Sequence, residues 1–387
     1  MSVSNVTDTI KYIGVQDRDI DLFEGQFVVP DGISYNSYVI LDEKVAVMDT
    51  ADLRKIDDYM ANLEEALAGR TPDYLVIHHV EPDHASGFGT FFAKYPETKL
   101  VANVKTFQIL GNYFDLPEEN KVTVTEGDSL DLGVHQLHFI LAPMVHWPEV
   151  MMTYESTEKV FFSADAFGKF GTLDAEGEWA DEARRYYFNI VGQFGMNVQK
   201  VFAKLPDFDI QTVCALHGPV LSGDALAEAL DLYQKWSTYT ADTEGVCIAY
   251  CSMHGNMKKA AMKLESMLKA KGVDVEAVEL NREPASEALE HAFMYDKLVL
   301  MAPSYYGSVM PAMEDFLHHL AGKLYQNRTV AVIEGGSWAP SAARTMGKLL
   351  EGMKNLTVLE QTFTMLGGYS DEKVEAAFTE LVDALTA

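Results

Sequence analysis

The chain has 387 residues, of which 48% are hydrophobic and 23% are charged, a composition typical of globular proteins with a sizeable core. It carries 58 acidic and 30 basic residues, and the resulting net charge of -28 disfavours binding to nucleic acids and to anionic membranes, since both are polyanions. The length predicts two or three domains.

The chain has three cysteines, Cys214, Cys247 and Cys251. Because they are few and odd in number, they predict no disulfide framework. Cys247 and Cys251 have no second pair that would complete a zinc site, so we interpret them as ordinary strand residues. The first residues show no basic segment followed by an apolar run, and no apolar stretch approaches the ~20 residues of a membrane span. We therefore expect a cytoplasmic protein without a membrane span.

Short strands dominate the first half of the chain. Residues 35–50 predict two strands with a turn at Asp42 and Glu43, and residues 56–69 predict a helix that ends at a glycine. The apolar run YLVIH, residues 74–78, predicts a buried strand that runs into a polar loop. Three more strands, in TKLVANVK, HQLHFILAP and KVFFSADAF, each end in a loop, which is how a sheet presents a functional site.

The pattern changes after a polar stretch at residues 237–245, which we interpret as a linker between domains at residues 1–243 and 244–387. Beyond it, strands such as GVCIAYCS, DKLVLMAPS and TVAVIEGGS alternate with amphipathic helices such as MKKAAMKLESMLKAKG. Strands that alternate with helices predict an α/β domain with a doubly wound parallel sheet.

The stretch HHVEPDHASG, residues 78–87, concentrates side chains that bind metals. In an extended segment, His79, Glu81 and Asp83 point to one side, and a turn at Asp83 brings in His84. Two imidazoles and two carboxylates suit a divalent first-row metal. The alternative for any single histidine is a satisfied residue of a polar surface loop.

Further ligand types follow later strands: His146 in PMVHWPEVM, Asp165 in FFSADAFG and His217 in CALHGPV. With the loop they provide enough ligands for two metals and one bridging carboxylate, an arrangement that clamps both ends of a small substrate. We expect the remaining histidines to be packing, supporting or surface residues: His78, His135, His138, His291, His318 and His319.

These residues resemble the metallo-β-lactamase-like pattern, H-x-x-x-D-H followed by His, Asp and His at later strand ends. Glu81 stands where zinc hydrolases of that superfamily usually have histidine, and a carboxylate there favours iron. With HWP at residues 146–148 and SADAFG around Asp165, the chain resembles the flavodiiron proteins. The resemblance implies an N-terminal metallo-β-lactamase-like αββα domain followed by a flavodoxin-like doubly wound parallel sheet.

The resemblance also implies ligand roles at a non-haem di-iron centre. His79, Glu81 and His146 would hold the iron nearer the flavin, Asp83, His84 and His217 would hold the other, and Asp165 would bridge the two.

Three loops of the second half predict a site for FMN at the carboxyl ends of parallel strands. YCSMHGNM, residues 250–257, resembles the phosphate loop of flavodoxins, although Met257 replaces the usual threonine and removes one hydrogen bond worth about 1 kcal/mol. APSYYGSVMP and EGGSWAP follow the next strands, and Trp338 is available to stack. The candidate FMN residues are Ser252, Met253, His254, Gly255, Asn256, Met257, Ser304, Tyr305, Tyr306, Gly307, Gly335, Gly336, Ser337 and Trp338.

For the flavodiiron proteins the resemblance implies reduction of O2 to water, of NO to N2O, or of both, in a head-to-tail homodimer or a dimer of dimers. No C-x-x-C pairs follow the second domain, so electrons are expected from a separate donor, a rubredoxin or a reduced deazaflavin. Lys258, Lys259 and Arg344 would help an acidic donor to approach. Two alternatives stay open: a zinc hydrolase with a flavodoxin-like accessory domain, and a flavin electron carrier with a structural metal domain.

Overall fold

The computed structural model describes residues 3–387 and divides into two compact units, the first ending at Gln234 and the second beginning at Lys235. The domain limits derived from the sequence, residues 1–243 and 244–387, stay a prediction and put the boundary at the first residue of the strand Thr243–Tyr250. Among the described residues, no helix is long and apolar enough to cross a membrane.

The first unit is built largely of short strands. In chain order they are β1 (Ser4–Asn5), β2 (Ile10–Tyr12), β3 (Val15–Asp17), β4 (Leu22–Phe23), β5 (Phe27–Val28), β6 (Ile33–Tyr35), β7 (Tyr38–Leu41), β8 (Val45–Met48), β9 (Tyr74–Val76), β10 (Lys99–Ala102), β11 (Lys121–Thr123), β12 (Ser129–Asp131), β13 (Gln136–Leu141), β14 (Met151–Glu155), β15 (Val160–Phe162), β16 (Thr212–Cys214) and β17 (Leu221–Ser222).

Helices connect these strands, and the last of them leads into the second unit. They are α1 (Ile56–Leu67), α2 (Pro82–Ala85), α3 (Phe88–Lys94), α4 (Val104–Leu110), α5 (Trp179–Tyr186), α6 (Gly195–Phe202) and α7 (Gly223–Ser237).

Two sheets share one core in this unit. One has the order β1-β2-β7-β8-β9-β10-β11 and the other the order β12-β13-β14-β15-β16-β17. Apolar side chains of both sheets pack together, among them Ile40, Met48 and Val101 from the first and Phe139 and Phe162 from the second. Because each sheet buries the face that the other covers, the ligand-bearing loops at the strand ends are held on a rigid support.

The segment at residues 74–87 differs from the prediction in two ways. The strand ends at Val76 instead of continuing through residue 78, and the predicted polar loop contains the short helix α2. The amide of His78 donates to Asp49 Oδ1 at 2.7 Å, so a side chain takes the place of a neighbouring strand. Pro82 occupies the start of α2, where a missing N–H costs nothing.

The second unit alternates strands and helices. Its strands are β18 (Thr243–Tyr250), β19 (Val275–Glu279), β20 (Tyr295–Tyr305), β21 (Ser308–Val309), β22 (Thr329–Gly336), β23 (Thr357–Val358) and β24 (Phe363–Leu366), and its helices are α8 (Asn256–Ala270), α9 (Ala285–Met294), α10 (Pro311–Gly322), α11 (Ala342–Leu350) and α12 (Asp371–Thr386).

Its main sheet is parallel and has the order β19-β18-β20-β22, with β23 and β24 both beside β22. β18, the first strand of this unit, therefore lies inside the sheet between β19 and β20. The strand order reverses beside β18, as the alternating pattern predicts for a doubly wound sheet. The loops that follow β18, β20 and β22 emerge at the same sheet edge, where such folds bind ligands.

We expect Leu137→Ala to lower the free energy of unfolding of the first unit by about 2–5 kcal/mol, because Leu137 is fully buried in the core between the two sheets and its truncation leaves a cavity. Leu53→Ala, at a position that is 56% exposed, is the matched control and should shift stability little. Urea unfolding followed by circular dichroism measures both, and equal shifts would contradict a shared core at this position.

Candidate functional site

A buried network shapes the segment that carries the first ligand candidates. Asp49 lies in a left-handed conformation, with a φ of 58°, just after β8. Its carboxylate accepts the amide of His78 and lies in short contact with Nδ1 of the same residue. Nε2 of His78 contacts Thr153 Oγ1 at 2.8 Å. Both ring nitrogens of His78 are therefore engaged, which fits a supporting role and leaves the next histidine to face the site.

One group of ligand atoms gathers around His79. The nitrogen and oxygen atoms offered by His79, Glu81, His146 and Asp165 lie within 4.8 Å of one another. His79 Nε2 is 3.2 Å from Glu81 Oε2, and His146 Nε2 is 3.1 Å from the same oxygen. Three of these side chains are buried and Glu81 is half-buried.

A second group, of Asp83, His84 and His217, is fully buried and equally tight. Asp83 Oδ2 lies 3.2 Å from His84 Nε2 and 3.3 Å from His217 Nε2. The extended arrangement predicted for residues 79, 81 and 83 is therefore wrong. Because the helix α2 begins at Pro82, it turns Asp83 away from His79 and Glu81 and toward His217.

Asp165 contacts both groups through different oxygens. Its Oδ2 is 3.0 Å from His146 Nε2 and 3.5 Å from His79 Nε2. Its Oδ1 is 3.2 Å from His84 Nε2 and 3.8 Å from His217 Nε2. This is the placement that a carboxylate needs to bridge two metal ions.

The lone pairs of this cluster are poorly satisfied. Both carboxylate oxygens of Asp83, Oδ1 of Asp165, Nε2 of His217 and both ring nitrogens of His84 are buried without a hydrogen-bond partner. Buried polar atoms are almost always hydrogen-bonded, so such a concentration needs an explanation. A pair of cations at the centre would satisfy the atoms that converge there, and the donor set fits iron.

Another group of ligand types provides a contrast. His135, Glu155 and Glu158 also lie close together, but they are fully engaged. His135 contacts Asp42 Oδ2 at 2.8 Å, and Glu155 accepts the amides of residues 157 and 158. Hydroxyl groups of the first turn donate to Glu158. We interpret this group as structural, because its side chains already have partners in the protein.

Partners outside the cluster orient its imidazoles. His79 Nδ1 lies 2.8 Å from Glu149 Oε1, and His217 Nδ1 lies 2.7 Å from the carbonyl oxygen of Ser34. Both contacts turn Nε2 toward the cluster. Asn36 holds the loop of His217 by donating from Nδ2 to the carbonyl oxygens of residues 215 and 218, at 2.9 and 2.7 Å. The position of His217 thus depends on a fully buried amide.

Ion pairs shift the titration of the metal-free cluster. Burial lowers the pKa of His146, but contacts with Asp165 and Glu81 outweigh burial and raise that pKa to about 9. Burial also opposes protonation of His84, yet Asp83 and Asp165 raise its pKa to about 10. Without a metal, both imidazoles therefore hold protons at neutral pH.

The second unit contains a pocket of about 520 Å³ at the carboxyl ends of β18, β20 and β22. It is lined by all the candidate FMN residues except Ser252 and Gly255. Ser252 is buried beneath the loop, where its amide donates to Asn281 Oδ1 and its Oγ accepts the amide of Lys258. The assignment of Ser252 and Gly255 to the FMN phosphate stays a prediction.

The pocket fits a flavin in its chemistry. The rings of Tyr306 and Trp338 are 90% and 83% exposed at its rim, where they are available to stack on a planar ligand. Gly307 has a φ of 70°, and a Cβ on it would meet no atom within 4 Å, so the glycine is needed for the turn and not for space.

The pocket lining also includes seven residues outside the candidate list: Pro303, Ala339, Pro340, Ser341, Arg344, Met365 and Gly367. Met365 lies on β24 and Gly367 follows that strand. The sequence analysis identified no loop there, although the Gly-Gly pair at residues 367 and 368 after an apolar run was an available signal.

Two family models match different parts of the chain. Residues 33–218 match the family model described as ODP family beta lactamase, and residues 247–369 match that of a flavodoxin domain. The coenzyme F420H(2) oxidase of Methanothermobacter marburgensis is 30% identical over 345 residues, which cover 85% of this chain and 84% of that protein.

The anaerobic nitric oxide reductase flavorubredoxin of Pectobacterium atrosepticum is 29% identical, with 92% of this chain and 73% of that protein covered. The solved flavodiiron protein of Giardia intestinalis has the same fold, with a TM-score of 0.93 at 22% identity over 100% of this chain and 96% of the other. Rubredoxin oxygen:oxidoreductase of Desulfovibrio gigas gives 0.90 at 21% identity over the full length of both.

The chain belongs to the flavodiiron protein family. The predicted family and the predicted fold class, a metallo-β-lactamase-like domain followed by a flavodoxin-like parallel sheet, are both confirmed. The roles of the seven ligand candidates of this flavodiiron protein stay a proposal, which the convergence of their side chains supports.

We expect Glu149→Gln to weaken iron binding about 10–100-fold, because removal of the carboxylate charge beside His79 Nδ1 makes the imidazole a poorer ligand. Competition with a chelator in anaerobic solution measures the affinity. Glu97→Gln, at an exposed glutamate of the same unit, is the control and should bind iron as the unmodified protein does. Equal affinities in all three proteins would show that Glu149 does not act on the metal.

Iron binding to the metal-free protein should release protons at pH 7, because His146 and His84 must give up their protons to become ligands. Their raised pKa values place this release below pH 9–10, and it should decline as the pH rises through that range. A pH indicator in weakly buffered anaerobic solution measures the release. A release that is absent at pH 7 would count against these two imidazoles as ligands.

Proposed function

We propose that this flavodiiron protein reduces O2 to water, NO to N2O, or both, at a non-haem di-iron site, with electrons that pass through FMN from an external donor. The observation that carries the proposal is the buried cluster in which Asp165 faces two groups of ligand atoms with separate oxygens. Relatives that cover most of the chain carry names of both activities, nitric oxide reductase and F420H(2) oxidase.

The residues divide into two half-sites. His79, Glu81 and His146 would hold one iron, Asp83, His84 and His217 would hold the other, and Asp165 would bridge them. When bound, the iron pair would supply a binding position and electrons for the small oxidant, and FMN would supply the redox chemistry that resupplies those electrons. FMN would occupy the pocket that the loops after β18, β20 and β22 form.

The chain's own side chains prepare this site for charge transfer. Aromatic rings surround His217, with ring centroids of Phe23 and Tyr186 each 5.5 Å away, and Trp147 lies 5.2 Å from His79. Such walls limit water around the cluster and strengthen its electrostatic interactions. Glu81 adds a negative charge where an imidazole would add none, which favours a more oxidised metal.

Electrons would come from a separate protein or a reduced deazaflavin, with a rubredoxin as the donor that we favour. Of the three cations considered for its approach, Lys258 is paired with Glu279 at 2.6 Å, which leaves Lys259 and Arg344. We further propose a cytoplasmic head-to-tail homodimer, or a dimer of dimers, in which the FMN of one subunit serves the irons of the other.

Two alternatives make different predictions. A zinc hydrolase would contain zinc and cleave an ester or thioester, but Glu81 and the flavin pocket disfavour it. An electron carrier with a structural metal would exchange electrons through FMN without consuming gas, but structural sites seldom use two metals and a bridge.

The decisive experiment is anaerobic. The iron-loaded, FMN-loaded protein is reduced chemically or with a rubredoxin, O2 or NO is injected, and each gas is followed with its own electrode. Consumption of O2 without release of peroxide identifies an oxygen reductase, and consumption of NO identifies a nitric oxide reductase. If neither gas is consumed, the proposed function is wrong and the zinc hydrolase becomes the leading candidate.

We expect His146→Asn to remove most of the turnover while FMN remains bound, because His146 belongs to the metal cluster and the flavin pocket lies in the other unit. His138→Asn, at a half-buried histidine on β13, is the control and should keep its activity. Gas electrodes measure turnover, and the flavin absorbance measures FMN content. Loss of FMN in the His146 variant, or unchanged turnover, would contradict the proposed division between the domains.

A further inference from the structure

The flavin pocket differs in charge from the rest of this acidic protein. The chain has 58 acidic residues, yet among residues 3–387 the side chains that line the pocket include no aspartate or glutamate. Arg344 is the one arginine or lysine in that described lining. A permanent positive charge thus faces a cavity from which negative side chains are excluded.

Within the described residues, Arg344 has no carboxylate at ion-pair distance, unlike many cations of its own unit. Lys258 is paired with Glu279, Lys263 with Glu375, and Lys269 with Glu265, at 2.6, 2.9 and 2.6 Å. The guanidinium of Arg344 is exposed and lines the pocket, so its charge remains available to a ligand.

The helix that carries Arg344 is fastened to two of the flavin loops. The amides of Ser341 and Ala342 donate to Ser304 Oγ at 2.7 and 3.2 Å, and the amide of Ala343 donates to Glu334 Oε2 at 2.9 Å. These protein acceptors occupy the amides at the start of α11. The positive charge that α11 offers to the pocket therefore comes from the Arg344 side chain.

The two ends of the pocket have different partners for FMN. The loop 252–257 precedes α8, and the N-terminus of a 15-residue helix suits the phosphate. Tyr305, Tyr306 and Trp338 suit the flavin ring. Arg344 lies on α11, whose first amides donate to Ser304 Oγ beside Tyr305, so its helix begins at the ring end of the pocket.

We propose that Arg344 is the counter-charge of the reduced flavin and raises the reduction potential of the bound FMN. The inference rests on the proposed function, since it requires FMN in this pocket. Reduction of the ring by the external donor takes up two electrons and one proton at neutral pH and leaves one negative charge on the ring. A nearby guanidinium stabilises that charge and has less effect on the neutral oxidised ring.

The test separates affinity for the two oxidation states. Arg344→Gln removes the charge, Arg344→Lys keeps it, and Lys348→Gln removes an exposed charge from the same helix outside the pocket lining. FMN titration of the apoprotein gives the dissociation constant of the oxidised cofactor, and anaerobic spectroelectrochemistry gives the midpoint potential. Together they give the constant for the reduced cofactor.

In Arg344→Gln, we expect the reduced cofactor to lose about tenfold more affinity than the oxidised cofactor. This difference corresponds to a midpoint potential about 30 mV lower for the two-electron couple. Arg344→Lys should retain most of the unmodified potential, and Lys348→Gln should change it little.

Equal shifts of the midpoint potential in Arg344→Gln and Lys348→Gln would show that the effect comes from the net charge of the protein, and would overturn the proposal. Equal loss of affinity for both oxidation states would place Arg344 at the phosphate and overturn it as well. If the unmodified protein binds no FMN, the proposed function itself fails. If it binds FMN and Arg344→Gln leaves the potential unchanged, only the role of Arg344 fails.

Discussion

The two contacts of Asp165 hold the candidate metal site together. One oxygen lies 3.0 Å from His146 Nε2 and the other 3.2 Å from His84 Nε2, so a single buried carboxylate joins two groups of imidazoles that would otherwise repel as they take up protons. Everything else around it keeps these groups within reach: the carboxylate of Glu149 behind His79, the carbonyl of Ser34 behind His217, and the sheets from which the loops emerge. A buried charge of this kind is tolerable only where its partners are fixed.

Much of this arrangement could be predicted from the sequence, because metal-binding side chains are recognisable by residue type. Ligand types follow apolar strands at several places in the chain, and loops at strand ends present functional sites, so His146, Asp165 and His217 were expected near the 79–84 segment. The alternation of side chains along the 79–84 segment did not predict which residues join which ligand group. Whether Asp83 joins His79 or His217 depends on a helix of four residues, and so short a helix has no periodicity of its own.

In the flavin pocket, too, the sequence predicted the loops but not the tertiary contacts that position single residues. Loops after β18, β20 and β22 were recognisable by their glycines and by their position after apolar runs. Ser252 is buried beneath its loop, where its amide donates to Asn281, a residue that follows another strand, and no local pattern indicates such a partner. Arg344 likewise reaches the pocket because Ser304 and Glu334 fasten its helix, a tertiary contact that the periodicity of α11 does not contain.

The candidate ligands come from both sheets of the first unit, and this bears on how the unit binds metal. His79, Glu81, Asp83 and His84 follow a strand of the first sheet, whereas His146, Asp165 and His217 follow strands of the second. Neither sheet alone provides all the side chains of either group, although the 79–84 segment carries four of them. The candidate centre is therefore complete only when the two sheets have packed together, which couples the binding of a metal pair to the folding of the whole unit.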